Sequence, residues 1–145
     1  MVLPRPTDRL VDCVWLPRIL AKARLLAVDE LPEEYASRFC HPSGVDGQFI
    51  AFFNLTRDEL PAVCGRGDGE IGEWFLSSPE RKSRIQEWNR IAVNLGRAGF
   101  PMAERLPVAL STSYRHLADR KLETVFQVLE ADEEGGPELT PPAGP

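Results

Sequence analysis

Apolar residues at Leu16, Ile19, Leu20, Ala23, Leu26 and Ala27 fall on one side of a helix at 100° per residue. Leu25 and Val28 lie off that stripe, so this helix is expected to be covered on more than one side and to sit centrally. Pro17 stands in its first turn, where a missing N–H costs nothing. Leu31-Pro32-Glu33-Glu34-Tyr35 reads as a short helical turn with acids where the helix dipole favours them, ending before Pro42. The run from Phe49 to Phe53 fits a helix or a buried strand by periodicity alone; its helical neighbours favour helix, with Asp46 as the N-cap.

Thr56 and Glu59 have the spacing of a capping box, and Pro61 limits the helix behind it. A glycine-rich turn at 64–69 leads to a helix that Asp68 can cap and that carries Ile71, Trp74 and Phe75. Ser78-Pro79 is a second start signal, opening the longest helix, with Ile85, Trp88, Ile91, Ala92 and Leu95 on one stripe. Gly96, Gly99 and Pro101 end it. A short helix is expected at 102–110, and Asp119 can cap a last one carrying Leu122, Val125, Phe126 and Leu129. Trp74 and Trp88 both lie on inward stripes and are expected in the core. No alternating period-two segment and no internal repeat is visible. The expected fold is all-α: a compact bundle of about six short-to-medium helices. Residues 1–13 form an extended N-terminal segment, 14–133 a single helical domain, and 134–145 a disordered Pro/Gly-rich tail too poor in apolar residues to offset its ordering entropy.

The chain has 145 residues, enough to bury a core without disulfides or metal. Its formal net charge of −5 argues against broad binding to nucleic acid or anionic membranes, which needs concentrated positive charge. Cys13, Cys40 and Cys64 form neither a closed disulfide set nor a zinc-ligand spacing, which fits a reducing cytosol. The first residues are broken by two prolines and charges, unlike the apolar core of a signal peptide. No run approaches the ~20 apolar residues of a membrane-spanning helix. A soluble cytoplasmic protein is expected.

Several short stretches recur in a recognisable order: Leu16-Pro17-Arg18 with Lys22 and Arg24, Leu31-Pro32-Glu33-Glu34-Tyr35, Gly44-Val45-Asp46-Gly47 and Glu73-Trp74. They continue through Glu87-Trp88-Asn89 and Glu123-Thr124-Val125-Phe126 to Glu130-Ala131-Asp132-Glu133. None is diagnostic alone, but in this order, over residues 14 to 134, the chain resembles small bacterial proteins grouped as domain of unknown function 5069. The resemblance implies a small, helical, bacterial cytosolic protein with no known reaction, and it carries over no catalytic residues. In that family pattern an acidic residue usually precedes the lysine matching Lys22. Here Ala21 stands there, which puts in doubt any role needing an acid beside Lys22, whether an ion pair or a general base.

Arg18 and Lys22 lie one turn apart and roughly 40° apart around their helix, with Asp29 on the same side. A guanidinium and an ammonium so placed could hold a carboxylate or phosphate. The plainer alternative is a solvated face partnered by Asp29. Burial on several sides would make the two cations costly unless paired, which keeps the anion reading in play. Arg18, Lys22, Arg24 and Asp46 are therefore the candidate ligand-binding residues. Gly65, Gly67 and Gly69 read as a tight turn rather than a phosphate cradle, because Asp68, Glu70 and Glu73 would repel the anion. Arg66-Gly67-Asp68 matches a cell-adhesion tripeptide that chance easily produces. Cys40 and His41 are sequence neighbours whose side chains normally point apart, so Cys40 reads as a small buried apolar residue. The acids at 130, 132, 133 and 134 read as a solvated helix end without the spacing of a calcium loop. No catalytic residue, metal site or cofactor is assigned.

These features point to a binding or interaction module for a small anionic ligand or a protein partner. One alternative is nucleic-acid binding through a helix-turn-helix-like pair at 69–97, with Arg90 and Arg97 in contact. An ordinary helical hairpin fits that pair better, since the chain is acidic and Arg81 and Arg84 lie towards the apolar stripe. The other alternative is an enzyme acting on a small acidic metabolite, for which convergence of Arg18, Lys22 and Asp46 in a closed apolar pocket would be the sign.

Overall fold

A short hairpin opens the chain: β1 (Arg9–Leu10) pairs antiparallel with β2 (Cys13–Val14), Arg9 opposite Val14 and Leu10 opposite Cys13. Its two-residue strands are too short to show a period, which is why periodicity reads the region only as extended. Val11 and Asp12 both take positive φ at the turn, as a tight two-residue hairpin turn requires. The computed structural model describes residues 2–134, so all but Glu134 of the expected disordered tail lies outside the described residues.

Helices make up most of the rest: α1 (Leu16–Ala27), α2 (Glu33–Ala36), α3 (Val45–Phe52), α4 (Glu59–Val63), α5 (Asp68–Leu76), α6 (Pro79–Val93), α7 (Arg105–Ser111) and α8 (Val125–Glu133), with a 3-10 helix at Arg115–Arg120. The described residues are thus mostly helical, with more and shorter helices than the expected six and one small sheet beside them. The extra elements are short: α4 and α7 carry Pro61 and Pro107 near their starts, which an early helical turn tolerates and an interior one does not.

Local start signals hold where nothing competes for the side chain. Ser78 caps α6 by accepting from the Arg81 N–H, with Pro79 at the first helical position. They fail where a tertiary partner takes the cap. Asp46 lies inside the first turn of α3 and turns into the core, so Gly44 stands at the cap position. Asp68 is the first residue of α5 behind Gly67, and its carboxylate accepts from Arg24. Only half of the box at Thr56 forms: Glu59 accepts the Thr56 N–H, but α4 begins later. Asp119 sits in the 3-10 helix, and α8 is capped by Thr124, whose hydroxyl accepts the Gln127 N–H while Gln127 accepts the Thr124 N–H.

The core gathers Phe49, Phe53, Phe75 and Trp88, whose rings meet at centroid separations of 4.9 to 6.2 Å, within the range where aromatic pairs add to simple area burial. Trp88 is buried as expected; Trp74 is only partly so, lying under the Arg81 guanidinium at 4.7 Å. α6 also grips the hairpin. The Asn89 amide accepts from the Val14 N–H at 3.0 Å and donates to the Asp12 carbonyl at 2.7 Å, while the Trp88 indole donates to the Val14 carbonyl at 3.0 Å. These bonds satisfy hairpin backbone groups that have little other ladder to join.

Gly47 sets how closely the chain can fold over α3. A Cβ there would stand 2.2 Å from the His41 carbonyl oxygen and 2.7 Å from the Pro42 Cα, both backbone atoms that cannot yield cheaply. Gly47→Ala is therefore expected to destabilise the protein by about 1–3 kcal/mol, the usual cost of overpacking, read as a lowered urea midpoint. An unchanged midpoint would show that the 41–44 loop is not pressed on α3 as described.

Candidate functional site

Trp15, Arg18 and Lys22 are spaced three and four residues apart across the start of α1 and so share a face. Trp15 is the residue before the helix and has a left-handed backbone, φ 73°, a conformation costing of order 1–2 kcal/mol for a residue with a Cβ. Its side chain is fully engaged. The indole N–H donates to Asp46 Oδ1 at 2.8 Å, and the ring stacks on Phe126 of α8 with centroids 5.4 Å apart. The Arg18 guanidinium and the Lys22 ammonium lie 5.2 and 5.0 Å from the Trp15 ring, within cation–π range.

Both cations are inside the protein: Arg18 is 1% exposed, Lys22 6% and Asp46 3%. A solvated face is therefore ruled out, and Asp29, exposed beyond the end of α1, pairs with neither cation. Arg18 forms a two-pronged bond to Glu133 at the end of α8, one prong at 2.9 Å, and donates to the Pro4 carbonyl at 3.0 Å. Burial opposes its charge, but the Glu133 bonds and charge outweigh it and hold the guanidinium above its usual pKa. Lys22 sits 3.3 and 3.4 Å from the two Asp46 oxygens. Here burial wins over the attraction of Asp46, with the Arg18 charge adding to it, and the amine lies below the usual lysine range.

The acid expected beside Lys22 is thus supplied by α3. Ala21 faces an open groove with Pro4, Pro17 and Arg24, so the departure there leaves the Lys22–Asp46 pair intact. Arg24 does not join the group: it donates to the Cys64 carbonyl at 2.8 Å and to Asp68 at 3.0 Å, tying down the glycine-rich turn. That turn is a tether between α1 and α5.

Lys22 and Asp46 line a small recess with Trp15, Tyr35, Arg38, Gly44 and Val45. Its free space is about 10 Å³, close to the room one water needs. Arg38 is the residue that sequence reasoning missed. Its guanidinium donates to Ser43 Oγ at 2.6 Å, and it forms no ion pair among the described residues. Its Nε is buried and lacks any hydrogen-bond partner. Nothing local distinguishes Arg38 from a surface arginine; it becomes notable only because the turn after α2 carries it to the recess. The Tyr35 ring, 5.7 Å from the Lys22 ammonium, forms a wall. Burial and the Glu133 charge push its phenol up to about 12.

Cys40 donates its backbone N–H to Asp46 Oδ2 at 3.4 Å, and burial with the Asp46 charge pushes its thiol up to about 12. His41 is bonded instead to Ser43, whose N–H lies 3.1 Å from Nδ1, so the two neighbours form no Cys–His pair. On the far side of the molecule Arg90 pairs with Glu87 at 3.1 Å and Arg97 with Glu123 at 2.7 Å. Arg81 caps the end of α5 through the Trp74 and Phe75 carbonyls, and Arg84 lies 4.2 Å from the Phe52 ring. The second tier near Arg18 is acidic: Asp132 is buried and meets His116 at 2.7 Å. Among the described residues no group of three or more His, Cys, Asp and Glu is placed to hold a metal ion, and no helix is long and apolar enough to cross a membrane.

A family model described as a domain of unknown function (DUF5069) matches residues 2–135. No curated protein and no solved structure matches the chain.

The raised Cys40 and Tyr35 groups give the site a pH signature. A folded-state acid with a raised pKa keeps a proton that the unfolded chain gives up, so its contribution is complete below the unfolded value and is lost as pH rises towards the folded one. Stability should hold up to about pH 9, the ordinary thiol value, and fall between there and about pH 12. Urea midpoints followed across this range should show the decline, and Cys40→Ala should make it shallower. Lys22, whose lowered value acts in the opposite sense up to about 10.5, is common to both chains, so equal slopes for the wild type and Cys40→Ala would contradict the burial described.

Proposed function

Because the chain belongs to the DUF5069 family, whose description names no reaction, function has to be read from geometry, and we propose that this protein binds the anionic end of a small molecule in the recess over Lys22. Arg38 carries the reading. Arg18 has its carboxylate in Glu133 and Lys22 has Asp46, but Arg38 lines the same recess with a buried, unpartnered Nε and no ion pair among the described residues. An unsatisfied guanidinium N–H in a dry site costs about 1–3 kcal/mol, more for a charged group. An arriving carboxylate or phosphate oxygen would remove that penalty.

Two further features support an anion. α3 starts at the recess with no side chain capping it, so its first N–H groups add partial positive charge. Arg38 forms no ion pair among the described residues, so its charge is available to a ligand. The free space holds about one water, so the head group enters only as the half-buried Arg38 side chain moves aside, and the rest of the ligand stays at the mouth. The same arrangement explains why Arg18 is a structural residue. Its fork is filled from within the chain.

Isothermal titration with acetate and inorganic phosphate, alongside native mass spectrometry of the gently purified protein, tests this. The wild type should bind one anion per chain, and Arg38→Gln should weaken binding about 10- to 100-fold, the worth of one charge-assisted bond. The fold should survive, since among the described residues the Arg38 side chain bonds to Ser43 and forms no ion pair. Equal binding by the wild type and the variant, or none by either, would reject the recess as the site.

A further inference from the structure

Lys22 has a chemistry that anion binding leaves unused. We propose that the recess accepts a small 2-oxo acid and that Lys22 Nζ condenses with its ketone to form an imine, the acid's carboxylate lying on Arg38. This rests on the reading of the recess as an anion site and names the class of molecule that fits it.

The first argument is how Lys22 is held. A tight lysine–carboxylate pair is expected near 2.7–2.9 Å, yet Nζ stays 3.3 and 3.4 Å from Asp46. Asp46 has other donors: the Trp15 indole at 2.8 Å and the Cys40 N–H at 3.4 Å. The carboxylate is therefore kept in place without drawing the amine close. Around the remaining side of Nζ lie the Trp15 and Tyr35 rings, which exclude water and offer no strong acceptor. Desolvation of this kind favours the neutral amine, the form whose lone pair attacks a carbonyl.

The second argument is the juxtaposition. Arg38 and Lys22 line the same recess, and the planar Trp15 and Tyr35 rings line it with them. A 2-oxo acid is flat and has its carboxylate one bond from its ketone, so anchoring the first presents the second. Because the free space is small, entry requires the half-buried Arg38 side chain to swing outward and close again on the carboxylate.

The step balances with no redox partner. The Lys22 lone pair forms a bond to the ketone carbon while the carbonyl π electrons move to oxygen, which takes up the proton lost from nitrogen. The carbinolamine then expels that oxygen as water together with the second N–H hydrogen, leaving C=N. Asp46, within 3.4 Å of Nζ, is placed to accept and return the proton and to balance an iminium charge.

The test is reductive trapping. The full chain is incubated with pyruvate and borohydride, and the product is read by intact mass and peptide mapping. The chain has three lysines, Lys22, Lys82 and Lys121, of which the last two are exposed. The expected result is a single adduct equal to the acid less one oxygen, mapped to Lys22, with Arg38→Gln raising the pyruvate concentration for half-maximal trapping about tenfold or more. No adduct, or one shared with Lys82 and Lys121, overturns the proposal. Because the mapping uses the wild-type chain, it does not depend on whether Lys22→Met folds. Lactate, which lacks the ketone, separates the two readings: lactate binding without pyruvate trapping removes the amine chemistry and keeps the anion site, whereas no binding of either acid removes both.

Discussion

Two cations one turn apart on α1 are buried under the same indole, and each must find a carboxylate on another element. An unpaired charge in the interior costs several kcal/mol, so α1 cannot be covered until α3 brings Asp46 to Lys22 and α8 brings Glu133 to Arg18. The requirement fixes register as well as contact. On α8, Phe126 and Glu133 are seven residues apart, two turns along one face, so the turn that lays Phe126 on Trp15 also delivers Glu133 to Arg18. The N-terminal segment closes the arrangement through the Pro4 carbonyl.

Trp15 is the hinge of this arrangement, and its left-handed backbone has to be maintained by its surroundings. α6 does so at one remove. Asn89 and Trp88 hold the hairpin strand that ends at Val14, one residue before Trp15, and the Trp15 N–H donates to the Pro6 carbonyl at 3.1 Å. On its other side the indole is fixed by Asp46 and Phe126. The aromatic core and the charged cluster are thus two faces of one packing problem. The core positions the hairpin, and the hairpin aims the tryptophan that roofs the cations.

Arg18 and Arg38 show two ways in which this fold encloses an arginine. Both are partly or wholly buried arginines with an unpartnered Nε. Arg18 nevertheless has a full fork to Glu133, and its replacement would leave a carboxylate stranded. Arg38 has one hydroxyl and an adjoining cavity.

Periodicity and local chemistry were enough to mark the mostly helical fold, the Ser78-Pro79 start of α6, the central place of α1, and Arg18, Lys22 and Asp46 as residues to watch. These signals are local: they depend on residues within a turn or two of one another. They misled where a side chain had a choice, as with Asp46 and Asp68, because a distant cation outbid the nearby backbone N–H. They did not pair Glu133 with Arg18, which it meets across 115 residues, and they singled out neither Arg38 nor the left-handed Trp15. Which cation is paired from within and which is left free depends on how α2, α3 and α8 close over α1. That is a matter of distances between elements, which no spacing along the chain encodes.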